Sequence, residues 1–262
     1  MSIYLDEKNP GKHKPFEDAS PDVVAYVRYL EVIAGKSANT AFSYYCDLRG
    51  FSRFMKRRRG LVPADCELKD IDPKGLDAAF WASVTKEDIY EYLYFLGSEC
   101  GNKKSSTARR GASLHGFYDY LVNQVNKLEA DPTAAIHPPK QDKVLPKYLT
   151  AEQSMDLLES TQFQSDFPER DYCMVVLFLN CGMRLAELVG MDLEDIDLEN
   201  RQIRLFGKGH KERMVYLNDA CMEALQLYLN KRNTMEGLLP KERAVFITRR
   251  RKERIGNRKG EQ

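Results

Sequence analysis

Apolar side chains return every third or fourth residue through most of this 262-residue chain, and only across 202–217 does the interval fall to two. That change of period is the tightest constraint on the fold. A return of about 3.6 residues lays an apolar stripe along a helix, and a return of about two puts it on one face of a strand. The expected class is therefore mainly α, with a small β-hairpin or sheet near the back.

In the front half, Ser20 offers an N-cap with Pro21 at the first helical position, and Gly35 offers a stop. Val23, Val24, Val27, Leu30 and Ile33 share the face between them. A second helix is expected from about Asn39 to Gly60, carrying Phe42, Tyr45, Leu48, Phe51 and Met55 and ending in Lys56-Arg57-Arg58-Arg59. Residues 61–84, with Pro63 and Pro73, read as loose. Thr85 and Asp88 make a capping-box-like start for a third helix with Ile89, Tyr92, Leu93 and Leu96. A fourth is expected from Ser105 or Ser106, with Leu114, Phe117, Tyr118 and Leu121. Four amphipathic helices make a bundle over 20–128, behind a flexible lead of 1–19. The stretch 129–146 holds four prolines and reads as a linker to a second domain, 147–262.

In the back half, Thr150 and Gln153 form a second capping box, opening a helix to about Glu159. Pro168 to Asn180 is apolar nearly all round, as suits the centre of a core. Gly182 breaks it, and a short helix runs from Arg184 to Val189. The alternating runs 202–206 and 213–217 flank Gly207-Lys208-Gly209-His210-Lys211, the signature of a hairpin. Asn218 caps a last helix, and Ala244 to Thr248 reads as a short strand.

Composition narrows the function classes. The net charge is +1, so DNA binding has to come from local patches, such as Lys56–Arg59, Lys103–Lys104 with Arg109–Arg110, and the basic tail from Arg249. No run approaches the roughly 20 apolar residues that span a bilayer, and the polar start holds no signal core. No membrane partner is expected, and the location is expected to be cytoplasmic. Six cysteines without a C-x-x-C pair read as free thiols rather than a zinc or disulfide framework.

Two segments carry candidate chemistry. Arg184 follows a glycine break, with Glu187 three residues on along the same helical face. A guanidinium fork at a helix start suits a phosphate or a developing oxyanion, although alone the pair also reads as a surface ion pair. Lys208 sits between two glycines, which let the backbone approach a ligand. Walker-loop spacing is absent, and alone this reads as a solvated turn.

In chain order, four segments resemble the tyrosine recombinase (phage integrase) family, of the Xer-like type. They are Ser37-Ala-Asn-Thr40 with Tyr44, Asp47-Leu48 and Phe51; Ser106-Thr-Ala-Arg109-Arg110 with Ser113, Phe117, Tyr118 and Leu121; Cys181-Gly-Met-Arg-Leu-Ala-Glu-Leu; and Asp195-Ile-Asp followed by the Gly-Lys-Gly-His-Lys-Glu-Arg turn. The resemblance implies a four-helix core-binding (SAM-like) domain and an α+β tyrosine-recombinase catalytic domain. It implies site-specific recombination or integration through a 3′-phosphotyrosyl link, with no cofactor, neither ATP nor metal. Arg184 would then clamp phosphate oxygens, Lys208 would protonate the leaving 5′-oxygen, and Glu187 would orient the site. Thr40, Tyr44, Lys103, Lys104, Ser106, Arg109 and Arg110 would contact double-stranded DNA, and the other expected partners are homologous recombinase subunits.

The family's later H-x-x-R motif and nucleophilic Tyr do not emerge from this sequence. Of His13, His115, His137 and His210, only His210 has an arginine three residues on, and that pair belongs to the hairpin. Tyr216 and Tyr228 fall on strand and helix patterns that read as core. The expectation is a C-terminally incomplete catalytic domain that forms no DNA adduct alone, whose enzymatic status stays open. The alternative is a non-catalytic DNA-binding remnant.

Overall fold

The computed structural model describes residues 18–136, 145, 148–207 and 211–256. The expected lead, much of the expected linker, Lys208, His210 and the end of the basic tail lie outside these residues. The chain divides into two compact units, Met1–Val144 and Leu145–Gln262.

The first unit is built from α1 (Pro21–Val32), α2 (Ala38–Arg58), α3 (Ala78–Ala82), α4 (Lys86–Ser98) and α5 (Lys104–Asp119), which continues as a π turn over Tyr120–Gln124. Its core gathers most of the expected stripes: Val23, Val27, Leu30, Tyr45, Leu48, Phe51, Met55, Ile89, Tyr92, Leu96, Leu114, Phe117, Tyr118 and Leu121 are all buried, whereas Ile33, just past the end of α1, is exposed. Ser37 caps α2 by accepting from the Thr40 N–H, and Thr85 and Asp88 close a reciprocal capping box on α4.

Three local expectations need correction here. Ser20 occupies the N-cap position of α1, but its hydroxyl makes no capping bond. The fourth expected helix begins at Lys104, with Lys103 in the capping position, so neither Ser105 nor Ser106 is the cap. The loose stretch 61–84 contains α3, capped by the Asp77 carboxylate on the Phe80 N–H at 2.8 Å. Five residues are too few to show a helical period or to hold a helix in water. The fully buried Trp81 holds this one, edge-on to Phe117 with centroids 5.1 Å apart. Burying such a ring contributes on the order of 3 kcal/mol.

The Lys56–Arg59 cluster is tied into the fold along its inner edge. Arg58 and Arg59 both pair with the buried Asp88 carboxylate, at 2.9 and 2.5 Å. Lys56 Nζ donates to the Asp72 carbonyl, and Arg57 stacks over Phe95. Burial pushes the Asp88 carboxyl up, but the Thr85 N–H and the two guanidiniums outweigh it and hold it below its ordinary value.

The second unit contains α6 (Ala151–Gln164), α7 (Pro168–Cys181), α8 (Leu185–Gly190), a 3₁₀ turn at Leu193–Asp195, β1 (Ile196–Asp197), β2 (Gln202–Phe206), β3 (Glu212–Tyr216) and α9 (Asp219–Asn233). α7 packs between α6 and α9, and Cys173, Val176, Leu177, Leu205, Leu225 and Tyr228 form part of a second core. The sheet is antiparallel in the order β1-β2-β3, with Ile203 opposite Val215 and Leu205 opposite Arg213. β1 adds a strand to the expected hairpin. Cys173, Cys181 and Cys221 are buried free thiols, whereas Cys100 is exposed.

Two expectations fail in this unit. Alternation holds along β2 but is lost along β3, an edge strand on which Tyr216 is 73 % exposed rather than core. Ala244–Thr248 forms no strand and makes only an isolated bridge at each end. Ala244 through Ile247 are nevertheless fully buried, and their backbone is served by flanking segments, with the Val245 N–H on the Met191 carbonyl at 3.0 Å and the Ile255 N–H on the Phe246 carbonyl at 3.1 Å, and by side chains of α9. The Tyr228 hydroxyl donates to the Val245 carbonyl and accepts from the Ile247 N–H, at 2.9 and 3.2 Å. Arg232, itself buried, donates to the carbonyls of Glu242, Ala244 and Val245. Buried backbone needs partners, and any good donor satisfies the requirement.

Candidate active site

Gly182 ends α7 in the left-handed conformation, at φ 54° and ψ 38°, which a glycine adopts without steric cost. The chain turns through the buried Met183, and Arg184 enters at the N-cap of α8. Glu187 lies one turn on, its side chain only 2 % exposed. The sequence Gly-Met-Arg-Leu-Ala-Glu thus reverses the chain, projects a guanidinium and buries a carboxylate beneath it.

The carboxylate organises the site. Glu187 Oε2 accepts from the Arg184 backbone N–H at 2.9 Å, and Oε1 accepts from Arg184 Nη1 at 2.7 Å. From β3, Arg213 Nη2 donates to Oε2 at 2.8 Å and to the Gly182 carbonyl at 3.1 Å. Burial pushes the Glu187 carboxyl up, but the Arg213 and Arg184 donors outweigh it and bring it down to about 2. Glu187 is therefore ionised at neutral pH and has no proton to give. Two cations facing one anion leave the cluster positive.

The Arg184 side chain is 73 % exposed, and its other guanidinium nitrogens have no partner among the described residues. Gly207, at the end of β2, packs against this pair. A Cβ built on it would stand 3.5 Å from Glu187 Oε1 and 3.9 Å from Arg184 Nη1. The backbone that runs into the Gly-Lys-Gly turn therefore leaves from beside Arg184, while Lys208 itself lies outside the described residues. Arg213 is the residue that sequence reasoning missed. In the sequence it stands only in the hairpin, and no local spacing there points to Glu187.

In the first unit, the candidate DNA residues lie on α2 and α5. Thr40 and Tyr44 are half-buried and one turn apart on α2, and the Thr40 hydroxyl bonds with that of Ser37 at 2.9 Å. Lys103 and Lys104 are exposed where α5 begins, and the half-buried Ser106 donates its N–H to the Lys103 carbonyl. Arg109 and Arg110 face Asp47 of α2, whereas Tyr44 approaches Gly116 further along α5. The two helices therefore run antiparallel. The candidates are strung along their seam, with Thr40 towards one end, Lys103 towards the other and the arginines between.

Among the described residues, no group of side chains is placed to hold a metal ion, and no helix is long and apolar enough to cross a membrane.

Comparison with known proteins bears on both units. The family model described as the phage integrase family matches residues 147–260. The tyrosine recombinase XerC of Caldanaerobacter subterraneus subsp. tengcongensis is 39 % identical over 232 residues, covering 88 % of this chain and 64 % of that protein. The Myxococcus xanthus protein of the same name is 33 % identical over 225 residues, covering 86 % and 68 %. The chain thus spans about two thirds of the length of these curated relatives. A lambda integrase dimer solved on a COC′ core site shares the fold, at 18 % identity and a TM-score of 0.58 over 97 % of this chain and 66 % of that one. With identity of this extent running through both units, the chain belongs to the phage integrase, or tyrosine recombinase, family.

Proposed function

We propose that this chain serves site-specific DNA recombination or integration by phosphotyrosyl strand exchange. Its second unit supplies the cations that stabilise the reacting phosphate, and its first unit helps to grip the duplex. The observation that carries the reading is the Glu187 cluster, in which a buried anion holds Arg184 in place while most of its fork stays open to a ligand.

The chemistry follows from charge. Attack on a phosphodiester builds negative charge on the non-bridging oxygens, and donors already fixed in place stabilise it without reorganising. The planar fork of Arg184 matches two such oxygens. Lys208 is the general acid that gives its proton to the departing 5′-oxygen. Because Glu187 stays ionised, its task is to orient Arg184 rather than to move a proton. Tyr228 is buried with its hydroxyl engaged by backbone, and Tyr216 is exposed on β3. Along the α2–α5 seam, Thr40, Tyr44, Lys103, Lys104, Ser106, Arg109 and Arg110 contact the duplex. Homologous subunits complete the assembly, which works in the cytoplasm.

Selection from a randomised duplex pool, followed by footprinting of the winners, tests the reading. Enrichment of a defined site, with affinity falling steeply as salt rises, is the expected result. A pool that yields no enriched sequence would overturn it.

A further inference from the structure

Asp47 lies inside the seam of α2 and α5 with its side chain only 4 % exposed. Its Oδ2 accepts from Arg109 Nη1, and Oδ1 stands 3.6 Å from Arg110 Nε. The Ser113 hydroxyl donates to the Arg110 carbonyl at 2.8 Å. Arg110 Nε is buried with no hydrogen bond of its own. The two arginines nevertheless keep 45 % and 30 % of their side chains in solvent. One carboxylate against two guanidiniums leaves a net positive group whose inner edge is anchored and whose outer edge is open.

We infer that Asp47 is a positioning residue, which fixes Arg109 and Arg110 at the angle at which they meet backbone phosphates of a DNA duplex. The inference rests on the DNA-binding reading above. Long arginine side chains lose much rotamer freedom when they bind, and an internal anchor removes part of that loss beforehand. The opposite role for the same carboxylate is simple neutralisation, in which Asp47 subtracts from the positive field that attracts DNA. The two roles predict opposite signs for one substitution.

Asp47→Asn keeps the shape and makes the chain one charge more positive. Positioning predicts that it binds duplex DNA about tenfold more weakly, with a salt slope smaller by about one because a phosphate contact is lost. Glu99→Gln adds the same charge at an exposed position on the same unit and is expected to bind as tightly as the parent or tighter. Arg109→Lys keeps the charge but lacks the fork, so weaker binding with an unchanged slope is expected, and it serves as the test if Asp47→Asn does not fold. Circular dichroism melts check folding of each variant. Unchanged or tighter binding by a folded Asp47→Asn, or by Arg109→Lys in its place, overturns the inference and leaves the DNA-binding reading intact. If the parent chain binds no duplex at any salt, that reading falls and takes the inference with it.

Discussion

Glu187 shows how a single buried carboxylate organises groups from separate elements. Its donors come from Arg184, at the N-cap of α8, and from Arg213 of β3, which lies 26 residues along the chain from Glu187. Folding lowers its carboxyl from 4.5 to about 2, so the stabilisation is fully present above about pH 4.5 and is lost as pH falls towards 2. That interval corresponds to on the order of 3 kcal/mol. Urea denaturation at several acid pH values is expected to show this loss in the parent and a flatter profile in Glu187→Gln. At neutral pH, Glu187→Gln leaves two arginines facing an uncharged amide. Because both are well exposed, the cost is about 1–3 kcal/mol, short of what an uncompensated buried charge would exact. A variant as stable as the parent at pH 7 and equally acid-sensitive would show that the carboxylate is not the anchor. The Arg184–Glu187 pairing was legible in the sequence as a three-residue spacing on one helix. The Arg213 partnership was not, because strand register alone decides which long side chain meets a distant carboxylate.

At the scale of elements, one glycine in the first unit makes room for a side chain of another helix. A Cβ on Gly116 of α5 would stand 2.4 Å from the Tyr26 hydroxyl of α1, a buried side chain with little room to give. Gly116→Ala should raise helix propensity by about 1 kcal/mol and yet destabilise the unit by roughly 1–3 kcal/mol net, as overpacking dominates. A lower melting temperature checks this, and a higher one refutes it. In the second unit, α9 holds the buried segment 244–247 with side chains. Arg232→Met would strip donors from three carbonyls, and about 2–4 kcal/mol of destabilisation is expected in chemical denaturation. Here the alternation of β2 announced a strand correctly, whereas the largely apolar run AVFIT announced one that does not form. Such a run signals burial, and whether a strand or side chains will serve its backbone is settled elsewhere in the chain.

At the scale of the molecule, each unit has its own apolar core, with no residue common to the two among the described residues. Self-contained cores allow independent unfolding. Scanning calorimetry of Arg232→Met is expected to lower the transition that belongs to the second unit and to leave that of the first in place. A single transition that moves as one would contradict it. The sequence by itself determined most of the element types, the capping boxes at Thr85 and Thr150, and the family. All of these depend on spacing along the chain, and periodicity and local hydrogen bonding act over a few residues. Tertiary structure alone decided that Trp81 stabilises a five-residue helix, that Arg58 and Arg59 converge on Asp88, and that β3 is an exposed edge. It also decided that Arg213 reaches Glu187 and that Asp47 lies beneath two arginines. Those outcomes depend on which side chains are close in space, and a buried charge or ring takes whatever partner the packing brings within a few ångströms, however distant in sequence.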